Sequence, residues 1–134
     1  MVIRKGFPAL LKLGQGAFGQ GKGRKRLPQV IVAVTEAGAD WLHLDIMDGH
    51  FVDNISFGPM VVATVRKLTR LPLDVHLMIE EPERLAKDFI DAGASILTVH
   101  QEASRHLQST LTMIRDLGAR AGLSICPATP VSTL

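Results

Sequence analysis

The sequence contains one cysteine, Cys126, so no disulfide can close within the chain and a reducing, cytoplasmic compartment is the expectation. It has no apolar run near the ~18 residues needed to cross a bilayer, which argues against a membrane span. A secretory signal is also missing: Arg4 and Lys5 imitate a basic start, but the apolar stretch over residues 7–13 is short and broken by Pro8 and Lys12. Acidic residues are absent from positions 1–29, where Arg4, Lys5, Lys12, Lys22, Arg24, Lys25 and Arg26 give +7. Residues 30–134 hold the other 8 basic residues and all 13 acidic ones, a balance of −5, so the net +2 belongs to the leader. A basic arm can touch nucleic acid or an anionic membrane. This one has neither interleaved aromatics nor a helical stripe, so it reads as a disordered leader, with no nucleic-acid or membrane partner expected.

The leader also carries six of the twelve glycines. Gly14-Gln15-Gly16-Ala17-Phe18-Gly19 has the spacing of a phosphate loop. The adjoining segment, Gln20-Gly21-Lys22-Gly23-Arg24-Lys25-Arg26, is no helix, so the helix N-terminus that would hold a pyrophosphate is lacking.

Beyond residue 30 the composition is that of one ordinary globular domain, with 46% hydrophobic and 21% charged residues over the whole chain. Its organising stretch is Trp41-Leu42-His43-Leu44-Asp45-Ile46-Met47-Asp48-Gly49. Alternation along a strand puts His43, Asp45 and Met47 on one face and Leu42, Leu44 and Ile46 on the other, and Asp48-Gly49 ends the strand as a turn. Pro72-Leu73-Asp74-Val75-His76-Leu77-Met78 repeats the device, with His76 and Met78 on one face. Ala94-Ser95-Ile96-Leu97-Thr98-Val99-His100 brings a third histidine to the end of an apolar run. One such histidine suits a core; three at the ends of successive strands point to a shared site, because imidazole is a common metal ligand and Asp45 can complete a cluster.

Helical spacing over 28–37, 59–68, 81–92 and 105–117 alternates with strands over 41–47, 73–78, 95–100 and 121–125. Ala37-Gly38-Ala39, Ala92-Gly93-Ala94 and Leu117-Gly118-Ala119 each close a helix just before a strand. The pattern predicts an α/β fold with a parallel sheet of about four strands, a partial (β/α)8 TIM barrel. Such a sheet leaves open edges, so a homo-oligomer is the expected state of the folded chain.

Leu42-His43-Leu44-Asp45-Ile46-Met47-Asp48-Gly49-His50-Phe51-Val52, with Asn54 and Phe57-Gly58-Pro59, resembles ribulose-phosphate 3-epimerase. So do Leu73-Asp74-Val75-His76-Leu77-Met78-Ile79-Glu80, Ala92-Gly93-Ala94, Thr98-Val99-His100 and Pro127-Ala128-Thr129-Pro130. The resemblance covers about residues 30–134. It implies interconversion of D-ribulose 5-phosphate and D-xylulose 5-phosphate in the pentose phosphate pathway, by proton transfer at C3 with a divalent metal, zinc above all, or iron, manganese or cobalt. His43, Asp45 and His76 fall on the family's metal ligands. Asp45 doubles as a catalytic carboxylate, and His76, Met47 and Met78 line the substrate. On sequence alone core filling is the favoured reading of either methionine, and His100 reads as packing or support for a ligand.

Against the family pattern, Asp53 stands where Pro is usual and Cys126 where Asn is usual, which leaves a thiol there. No counterpart of the opening strand is recognisable in residues 1–29. The second catalytic carboxylate and the phosphate-holding loops fall beyond residue 134, so no phosphate-binding residue is assigned. The expectation is a truncated or mis-assembled epimerase, slow or inactive by itself. Another ketose-phosphate 3-epimerase, or a non-catalytic half barrel that binds metal or assembles, are the competing readings.

Overall fold

A computed structural model describes residues 10–13 and 27–134; residues 1–9 and 14–26 of the leader, with the glycine motif at 14–19, lie outside them. The elements are β1 (Leu10–Leu13), α1 (Leu27–Glu36), β2 (Trp41–Met47), α2 (Pro59–Leu68), β3 (Leu73–Met78), α3 (Ala86–Asp91), β4 (Ile96–His100), α4 (Leu107–Asp116) and β5 (Arg120–Ser124). Short 3-10 turns stand at Pro82–Arg84, Gln101–Ala103 and Val131–Thr133. The strands form one parallel sheet in the order β1-β2-β3-β4-β5. Parallel strands joined in sequence order by helices are the arrangement of a (β/α) barrel, of which this is a part.

The sheet has one strand more than the sequence pattern indicates. Leu10–Leu13 lies in the basic leader and pairs with β2, Leu10 opposite Trp41 and Leu13 opposite Leu44. Four residues with a lysine among them show no readable period, so only the pairing reveals the strand. The single helix expected over 81–92 is divided. Glu81 takes a left-handed backbone (φ 46°), Pro82 opens a 3-10 turn, and the α-helix starts at Ala86.

The three expected helix stops are present. Gly38, Gly93 and Gly118 have φ of 80°, 110° and 91°. In each case the glycine N–H reaches back three residues and the following alanine N–H five, as in Ala39 to Val34, Ala94 to Phe89 and Ala119 to Ile114. These paired bonds satisfy the last helical carbonyls and turn the chain into the next strand.

Burial sorts the two faces of the sheet. Leu42, Leu44, Ile46, Leu73, Val75, Leu77, Leu97 and Val99 pack under the helices against Ile31, Val62, Val65, Phe89 and Ile114. At about 1.5–3 kcal/mol for each such side chain, this packing fixes which face of each strand points outward. The alternate residues must then occupy the inner face. There the register sets Asp45 beside His76, Thr98 and Gly122, with His43 beside Asp74 in the row below and Met47 beside Met78 above. Gly122 gives this row its closeness: a Cβ there would lie 2.2 Å from Thr98 Oγ1.

Candidate metal centre

The inner row of β2 and β3 brings together the residues that the sequence marks. Asp45 Oδ1 lies 3.1 Å from His43 Nε2 and 3.4 Å from His76 Nδ1. One ligand atom from each of the three residues falls within 4.8 Å of the others. Asp45 is 1% exposed. A carboxylate so buried is stable only among donors or cations, which the two imidazoles can provide or hold.

Each imidazole is oriented by its far nitrogen. Asp74, opposite His43 in the register, accepts a hydrogen bond from His43 Nδ1 at 2.7 Å, which leaves Nε2 facing Asp45. His76 meets His100 at 2.8 Å between their Nε2 atoms, which leaves its Nδ1 facing Asp45. Burial by itself would lower the His43 pKa, but the bond to Asp74 and the charges of Asp74 and Asp45 outweigh it, so His43 titrates above the ordinary value. Burial, with His100 close by, holds His76 below it. The two rings thus differ in the direction of their shift.

The loop after β2 is tied to the site. Ser56 donates its hydroxyl to the carbonyl of Asp45 at 2.8 Å and accepts the Met47 N–H at 2.9 Å. Asp48 accepts N–H groups from His50 and Phe51, and from Glu80 in the loop after β3 at 2.9 Å. Burial would raise the Asp48 pKa; these backbone donors bring it below the usual carboxylate range. Asp48 therefore locks the two ligand-bearing strand ends together.

Two imidazoles and one carboxylate suit zinc, and also iron, manganese or cobalt. Three protein donors leave further positions for water or a substrate oxygen. The sheet places His43, Asp45 and His76 together as expected. Met47 and Met78 lie half-buried and paired at the outer end of the same face. Asp74 is the residue that the sequence reading did not single out. Its signal was available, because it is two residues before His76 and so shares that histidine's face.

The ribulose-phosphate 3-epimerase family model matches residues 22–134. Curated proteins similar to this chain include a ribulose-phosphate 3-epimerase of Synechocystis sp., 55% identical over 81% of this chain and 48% of its own. A ribulose-5-phosphate-3-epimerase, chloroplastic, of Arabidopsis thaliana is 51% identical over 81% and 40%. A ribulose-phosphate 3-epimerase of Bacillus subtilis is 54% identical over 75% and 46%. The chain spans about half the length of the curated relatives it matches.

Proposed function

The chain belongs to the ribulose-phosphate 3-epimerase family, and we propose that it supplies the metal-binding half of an epimerase site that interconverts D-ribulose 5-phosphate and D-xylulose 5-phosphate. The observation that carries this reading is the convergence of His43, Asp45 and His76 on the inner face of two neighbouring parallel strands, just below the C-terminal pair Met47 and Met78, the end at which barrels of this kind keep their chemistry. In this reading Asp45 also takes the C3 proton. Its burial beside two imidazoles favours a carboxylate that can accept a proton without water competing for it. His43, held by Asp74, and His76, held by His100, keep their lone pairs turned toward one point. A divalent ion held there, zinc in this proposal, would supply Lewis-acid stabilisation of the charge that develops beside the carbonyl. Met47 and Met78 would line the substrate with polarisable sulfur above that row.

Inversion needs a second acid or base on the opposite face of C3. The proposal therefore concerns the completed barrel, in which further strands join this sheet. Among the described residues β1 and β5 are the open edges of the sheet, and they suit such an addition. A cytoplasmic pentose phosphate setting belongs to the same proposal; the lone cysteine and the absence, among the described residues, of a helix long and apolar enough to cross a membrane agree with it.

The test is coupled-enzyme turnover of ribulose 5-phosphate by the zinc-supplemented chain, beside His43→Ala and Asp45→Asn. Turnover that both substitutions abolish supports the reading. Turnover that survives both overturns this site. The same open edges favour a second reading, a non-catalytic half barrel that binds metal and assembles. A monodisperse oligomer that binds zinc but turns over neither ribulose 5-phosphate nor another ketose phosphate would establish it.

A further inference from the structure

A second group of potential ligands stands beside the first. His100 ends β4, Glu102 lies in the adjoining 3-10 turn, and Cys126 lies just after β5. One donor atom from each falls within 4.8 Å of the others. His100 Nδ1 is 3.7 Å from Glu102 Oε2 and 3.9 Å from Cys126 Sγ. A tetrahedral zinc ion with ordinary bond lengths sets its nitrogen, oxygen and sulfur donors about 3.3–3.6 Å apart. The observed separations exceed these by only a few tenths of an ångström.

The group is held in place before any ion arrives. Glu102 Oε1 accepts the Cys126 N–H at 2.7 Å and the hydroxyl of Thr129, so its second oxygen is the one turned to His100. The same bond sets the backbone that carries the thiol. Phe51, from the loop after β2, lies against the His100 ring with centroids 4.8 Å apart, and His100 is 8% exposed. Thiolate and carboxylate together would neutralise a divalent ion; His100 is the buried member of the group and Glu102 the exposed one.

We infer that His100, Glu102 and Cys126 form a second cation site, selective for a thiolate-seeking divalent ion such as zinc or cobalt. Binding replaces the thiol proton, which leaves to solvent as the metal–sulfur bond forms. Magnesium and calcium, which favour oxygen donors, are disfavoured.

The two sites touch through His76 and His100, whose Nε2 atoms are 2.8 Å apart with the rings within 18° of parallel. Only one proton fits in that contact. An ion on His76 Nδ1 needs the proton on His76, whereas an ion on His100 Nδ1 needs it on His100. Each ion therefore weakens binding of the other.

The experiment is a cobalt titration of the full chain under a non-chelating reductant, followed by the thiolate-to-cobalt charge-transfer absorption and by cobalt stoichiometry. The expected result is two ions per chain with a charge-transfer band. Cys126→Ala should lose the band and one ion while keeping the other, and Glu102→Gln should raise the cobalt needed for the band. In His43→Ala/Asp45→Asn the band should persist and saturate at lower cobalt. No band from the wild-type chain overturns the second site. So does a band that vanishes in His43→Ala/Asp45→Asn, because the thiolate would then be serving the first ion. Circular dichroism of each variant identifies any loss that comes from unfolding, and Cys126→Ser repeats the sulfur deletion with a polar side chain.

Discussion

Asp74 accepts a hydrogen bond from His43 across the β2–β3 ladder at 2.7 Å, and by doing so decides which nitrogen of His43 faces the cluster. In the neutral ring this bond, shorter than the 3.1 Å contact of Nε2 with Asp45, favours the proton on Nδ1 and leaves on Nε2 the lone pair that a cation needs. Replacing Asp74 by Asn leaves a side chain of the same shape whose amide can rotate to donate instead of accept. Metal affinity should then fall by about 10- to 100-fold, the usual cost of losing such an orienting partner. Zinc competition titration of wild type and Asp74→Asn measures it, and an unchanged affinity would show that the orientation is set elsewhere.

Asp45 can be tested apart from complete inversion. One base that removes and returns the C3 proton on a single face exchanges hydrogen without changing configuration. In deuterated water the zinc-loaded chain should label C3 of one of the two ketose phosphates, by NMR. Asp45→Asn should slow that exchange by about 10²- to 10⁴-fold.

Glu102 has its pKa drawn from 4.5 to about 2, first by the Thr129 hydroxyl and then by the Cys126 N–H, against the opposing effect of burial. A depressed carboxylate pKa contributes stability that is present above the unfolded value and lost as pH falls through the folded one. Denaturant midpoints of the wild-type chain should therefore drop between about pH 4.5 and 2. Thr129→Val should flatten that drop, and Glu102→Gln should flatten it further while lowering the midpoint at neutral pH.

Gly93 and Gly38 separate two costs of adding a side chain. At Gly38 (φ 80°) a Cβ meets nothing within 4 Å, so Gly38→Ala should cost only the left-handed backbone, about 1–2 kcal/mol. At Gly93 (φ 110°) a Cβ would also stand 2.6 Å from the Arg66 side chain. That arginine donates to the Thr69 carbonyl at the end of α2, so Gly93→Ala should destabilise the fold more. Thermal melts of the two variants give the order; equal losses would show that Arg66 moves aside freely.

Much of this protein arises from local chemistry that a sequence displays. The alternation of Leu42, Leu44 and Ile46 with His43, Asp45 and Met47 determines the faces of β2, and the same period in β3 puts His76 on the face of Asp45. The three helix-ending glycines occur where only a residue without Cβ turns cheaply. Tertiary structure decided the rest. β1 exists through its pairing with β2, because four residues carry too little pattern of their own. Asp74 becomes the partner of His43 only once the register of two strands, 31 residues apart, is set. The meeting of His100 with His76, and of Cys126 with Glu102, depends on how β3, β4 and β5 lie side by side. Periodicity states which way a side chain points; the register between strands states what it will meet.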